Sequence, residues 1–187
     1  FKTYQTLLPS ITLYRVFDLL SALDRRLARI LPRLRAWIER KAFAGWRGIH
    51  PIGLDRAEED EGIFLYTLHT PALYLLFPFV DELCQVQFTD NLPLEQRRRI
   101  MDYYRRCIQR HLYASGGDRT LLSKNVHSTG RILSLLETFP DARFILLLRN
   151  PYQAIPSLLS LFYAVWQVHS PDIPRQSPET QALAHMG

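Results

Sequence analysis

The chain has 187 residues, 47% of them hydrophobic and 22% charged, with 12 prolines, 8 glycines and a net charge of +5. That length suits one compact domain with one core, and the apolar fraction excludes a disordered tail. No uncharged apolar run approaches the roughly 18 residues of a membrane span, which predicts a soluble chain.

The charge is uneven. Residues 1–50 hold 10 Lys/Arg against 3 Asp/Glu, while residues 55–61 hold 5 acids and 1 Arg. A basic balance permits an anionic partner, whether nucleic acid, phospholipid or a phosphorylated small molecule. No zinc finger or aromatic RNA-binding motif accompanies it, so no nucleic-acid partner is expected. Two cysteines, Cys84 and Cys107, make no disulfide framework and lack metal-ligand spacing, which fits a reducing, cytoplasmic setting. The start at Phe1 without Met and the stop at Gly187 in helical pattern predict a fragment at both ends.

In chain order, residues 11–30 place Leu13, Val16, Phe17, Leu20, Leu23, Leu27 and Ile30 at helical spacing, with Arg25, Arg26 and Arg29 opposite. Pro32 opens a second helix over 33–44, closed by Gly45, and residues 48–53 form a loop. Residues 57–77 read as a helix with its acids in the first turn and a kink or break at Pro71. Residues 94–113 read as a basic amphipathic helix ended by Gly116-Gly117. The final third changes character. Residues 120–124 and 143–148 are short apolar runs that read as buried strands. Each precedes a helix, 128–139 with Ser128 as N-cap and 151 to about 166 with Pro151 in the first turn. Strand, helix, strand, helix makes a βαβα unit over 116–187, after a mostly helical region over 1–115. It implies a parallel sheet with ligands at the carboxyl ends of its strands.

Those two strand ends carry the chemistry. The first delivers Lys124-Asn-Val-His127 and the second Arg149-Asn-Pro-Tyr-Gln-Ala-Ile-Pro-Ser157. A cation, a hydroxyl and a helix N-terminus converging on one crevice make a phosphate site. The acids at 58–61 read most simply as a favourable helix N-terminus that could also shape the acceptor side. His50, His69, His111, His169 and His185 form no pattern and read as structural. The Arg-rich faces at 25–41 and 97–110 read as solvated, and Tyr103, Tyr104, Trp37 and Trp46 as core.

Residues 144–157 resemble the 3′-phosphate motif of sulfotransferases that use 3′-phosphoadenosine 5′-phosphosulfate (PAPS). That motif is an apolar strand, then Arg, Asp or Asn, Pro, and a Ser eight residues after the Arg. Lys124 and His127 match the family's lysine and catalytic histidine, and the 22-residue interval from His127 to Arg149 is like the cytosolic branch. The stretch from Lys124 through Leu-Leu-Glu-Thr-Phe-Pro-Asp-Ala-Arg-Phe144 is similar to bacterial members, as is the acidic segment at 50–61. The resemblance is strong over about 118–165, moderate over 48–66 and weak elsewhere.

It implies an α/β fold, a P-loop-like parallel sheet flanked by helices with a large helical insertion, present here as one incomplete domain over 1–187. It also implies PAPS as co-substrate, with no metal. His127 is expected as general base, since histidine as a residue type titrates near neutrality, and Lys124 as the group stabilising charge on the sulfuryl oxygens. Arg149 and Ser157 are expected to hold the 3′-phosphate. The family's Gly- and Ser/Thr-rich 5′-phosphosulfate loop does not occur, and neither does its C-terminal closing segment. Truncation is the simpler account, against loss of nucleotide binding. Two other readings stand beside the enzyme: a non-catalytic sulfotransferase-like binding or scaffold protein, and a P-loop nucleotide or nucleoside kinase. The kinase needs a Gly-Lys-Ser/Thr loop and magnesium ligands that the sequence does not display. The acceptor stays open among carbohydrate, lipid and other small molecules.

Overall fold

The structure, a computed structural model, describes residues 1–2, 5–6, 8–27, 31–43, 53–54 and 56–185. Gly45, Trp46, His50, most of the 48–53 loop and the end of the chain at 186–187 lie outside the described residues. The described residues form two compact units, Phe1–Tyr66 with Asp102–Val126, and Thr67–Met101 with His127–Gly187.

The first unit holds α1 (Ile11–Leu27), α2 (Leu31–Ala42), the single turn α3 (Glu61–Phe64) and most of α5 (Leu94–Ala114). In α2, Pro32 lies in the first turn, where its missing N–H leaves no bond unmade. On α1 the buried residue is Tyr14, whose hydroxyl donates to the Gln5 carbonyl at 2.8 Å. Val16, Leu20 and Leu23 of the expected apolar face are exposed instead. Trp37 is also exposed, contrary to its reading as core, whereas Tyr104 is buried and stacks on Phe64 at 4.6 Å between centroids. Cys107 and Ile108 of α5 and Ile63 of α3 complete this core. Helix α5 ends in a Schellman motif: Gly116 and Gly117 have φ of 101° and 79°, and their N–H groups donate to the carbonyls of Tyr113 and Leu112.

The helix expected over 57–77 is broken. One turn of α-helix passes into a 3-10 turn over Leu65–Thr67, Leu68 adopts a left-handed φ of 53°, and helix resumes only as α4 (Leu73–Leu76). A leucine in that conformation ends the helical ladder one turn before Pro71 prevents its renewal.

The second unit packs α4 against α7 (Pro151–His169), and α7 against α8 (Pro178–His185). Trp166 is fully buried and its indole donates to the Tyr74 carbonyl at 2.5 Å, while His169 Nε2 meets the Leu75 carbonyl at 2.8 Å. Leu73, Val80, Val86, Phe162, Val165 and Leu183 fill the same core. Helix α6 (Ile132–Thr138) follows the 3-10 turn Ser128–Arg131.

The parallel-sheet α/β expectation is overturned. Among the described residues the only β pairing is an isolated antiparallel bridge between Lys2 and Ala57. Residues 118–125 and 142–150 form neither helix nor sheet, and the apolar side chains expected inside a sheet face outward: Leu122 is 89% exposed, Ile145 84% and Leu148 88%. The physical reason is that strand formation is not local. Two segments of five or six residues do not sustain a parallel sheet without further strands beside them and cover on both faces. Among the described residues no helix is long and apolar enough to cross a membrane.

Candidate active site

In the first unit, the extended segment carrying Lys124 is held by the acidic segment before α3. Lys124 Nζ pairs with Glu59, and the Val126 N–H points to the other Glu59 oxygen at 3.4 Å. Asn125 spends its side-chain amide on two buried carboxylates, donating to Asp60 Oδ1 at 2.8 Å and Glu61 Oε2 at 2.7 Å. The Tyr104 hydroxyl donates to the remaining Asp60 oxygen. Asp60 stands at the N-cap of α3 yet makes no capping bond with its side chain. The acids that read as a helix start therefore act mainly as acceptors for the lysine-asparagine segment. The one acid-rich stretch in a basic chain was the available signal for this.

His127 belongs to the second unit. It precedes the 3-10 turn with φ −94° and ψ 0°, the sparsely populated bridge region, and is half-buried. Ser128, expected as N-cap, is instead the first residue of the 3-10 turn, and neither His127 nor Arg131, which precede the turn and α6, caps with its side chain. The cap comes from elsewhere. Asp90 accepts the N–H groups of Leu133 at 2.9 Å and Ser134 at 2.8 Å, and also the Ser134 hydroxyl.

Arg149 and Ser157 also lie in the second unit, both exposed. Arg149 directly precedes Asn150, the N-cap of α7, and Ser157 sits seven residues beyond that cap. Seven residues are close to two helical turns, which puts Ser157 on the same side of the helix as the cap. The helix N-terminus itself is less available than the sequence suggests. Pro151 has no N–H, the Tyr152 N–H donates to Asn150 Oδ1 at 3.0 Å, and the Gln153 N–H donates to the Asn150 carbonyl.

A buried polar group that the sequence reading passed over lies in the same unit. Arg131 is fully buried, and His69 and Thr89 are buried as well. Burial, and then the Arg131 charge, push the His69 imidazole below its usual range. His69 Nε2 and Thr89 Oγ1 have no hydrogen-bond partner among the described residues. Nor do the described residues bring together three His, Cys, Asp or Glu side chains able to hold a metal ion.

With that geometry in view, the chain belongs to the sulfotransferase family, whose sequence model matches residues 28–186. The chain is similar to two relatives, omega-hydroxy-beta-dihydromenaquinone-9 sulfotransferases from Mycobacterium bovis and Mycobacterium tuberculosis. Each is 32% identical over 122 residues, covering 63% of this chain and 30% of the relative. The match thus spans under a third of the length of these curated relatives. No solved structure matches the chain significantly.

Proposed function

We propose that the chain is part of a PAPS-dependent sulfotransferase, in which Arg149 and Ser157 hold the 3′-phosphate, His127 is the general base and Lys124 stabilises developing negative charge. The observation that carries the reading is the Arg149-Asn-Pro-(x)5-Ser157 segment, with an exposed guanidinium and hydroxyl at the start of α7 in a chain of this family. When bound, PAPS supplies the sulfuryl group. His127 would take the proton from an acceptor hydroxyl or amine as the new S–O or S–N bond forms and the sulfur–oxygen bond to the 5′-phosphate breaks, with adenosine 3′,5′-bisphosphate as the leaving group. Lys124 must exchange its Glu59 partner for the anion. Its side chain is 69% exposed, and a pair so open to water is worth little, so the exchange costs little. The acceptor is a hydroxyl on an apolar, lipid-like molecule. That choice rests on the relatives, whose names specify an omega-hydroxylated menaquinone.

Calorimetric titration of adenosine 3′,5′-bisphosphate into the whole protein of which this chain is part, with AMP as comparison, tests the reading. Binding that prefers the bisphosphate, and an Arg149→Ala variant that loses about 1.5–3 kcal/mol on the bisphosphate and far less on AMP, are the expected results. Equal losses on both ligands remove the 3′-phosphate role. Absence of binding by the folded protein removes the enzyme reading in favour of a scaffold.

A further inference from the structure

Neither His127 nor Arg131 caps the turn or α6 with its side chain, and residues 87–90, a separate segment of the chain, hold both. Asp90 takes the N–H groups of the second and third residues of α6, the two donors that an N-cap side chain ordinarily satisfies, together with the Ser134 hydroxyl. Gly130 packs against the backbone of Gln87 and Phe88 so closely that a Cβ would overlap the Gln87 carbonyl. Arg131, next in sequence, is completely buried.

The far end of α6 is fixed independently. Arg97 makes a bidentate pair with Glu137 at 3.0 and 3.1 Å, and its other terminal nitrogen reaches the Asp90 carbonyl at 3.5 Å.

We propose that Asp90 is a positioning residue for His127: by capping α6 across the chain it fixes the turn that His127 opens. The inference rests on the assignment of His127 as the base. A base must sit within hydrogen-bond reach of the proton it removes, so a loosened turn loses rate before it loses substrate affinity.

The test uses the full chain with 13C-labelled histidine, the His127 ring cross-peak being identified by its disappearance in His127→Gln. In Asp90→Ala that cross-peak moves toward the averaged position of exposed histidines, while the affinity for adenosine 3′,5′-bisphosphate stays within about twofold. Transfer of 35S from labelled PAPS to an omega-hydroxymenaquinone in detergent falls by about tenfold to a hundredfold in kcat, with KM for PAPS little changed. Asp90→Asn keeps one acceptor oxygen and gives a smaller movement and a smaller loss. It carries the test if Asp90→Ala does not fold. An unmoved His127 cross-peak in a folded Asp90 variant overturns the proposal. Turnover retained in His127→Ala removes the base assignment, while the cross-peak alone still decides whether Asp90 positions the ring.

Discussion

Asn125 shows how much one side chain settles at this site. Its two amide hydrogens go to two different carboxylates, Asp60 and Glu61, both buried, and Tyr104 completes Asp60 from α5. Buried carboxylates depend on such donors because they have left the water that would otherwise solvate them. Asn125→Ala is therefore expected to destabilise the protein by about 1–3 kcal/mol, and Tyr104→Phe by about 1–2 kcal/mol. The two share Asp60, so their effects should depart from additivity by at least about 0.5 kcal/mol. Urea unfolding of both single variants and the double variant measures this. Strict additivity would mean that the network does not act as a unit. This network was not visible in the sequence, because the partners lie 44 to 65 residues apart and its donors, Asn125 and Tyr104, are uncharged.

Elements were legible where their signals were local. The N1 proline of α7 and the paired glycines after α5 are read from adjacent residues, and each does what its chemistry predicts. The two apolar runs were misread because their pattern specifies only suitability for a buried strand, while strand formation needs neighbours that no window of sequence contains. The clamp on the 127–134 turn was equally illegible, since Asp90 lies more than 40 residues from the helix it caps. Gly130 gives that clamp an independent test. Gly130→Ala should lower stability by about 1–3 kcal/mol, because the neighbour that must yield is backbone rather than a flexible side chain. The urea midpoint reads this. A variant as stable as the parent would show that the Gln87–Phe88 backbone does not press on the turn.

At the scale of the whole molecule, both units contain a described histidine whose proton affinity burial lowers. In the second unit His69 is pushed below its ordinary range by desolvation first and the Arg131 charge second. In the first unit His111, stacked on Phe1, is lowered to about 4, with desolvation by burial as the largest cause. Both groups bind a proton more readily in the unfolded chain, where histidine titrates near 6.5. The unfolded state therefore gains protons first as the pH falls, and stability declines from about pH 7 downward. The His111 contribution is fully present above pH 6.5 and is exhausted near pH 4, where the folded protein protonates as well. Melting temperatures measured between pH 7.5 and 5 should fall steadily in the full chain. His69→Gln, which cannot titrate, should flatten part of that slope even if it lowers the melting temperature at every pH. A slope unchanged in His69→Gln would show that this imidazole does not distinguish the folded from the unfolded state. A melting temperature that rises as the pH drops would require the opposite sign for both histidines and contradict their burial as neutral groups.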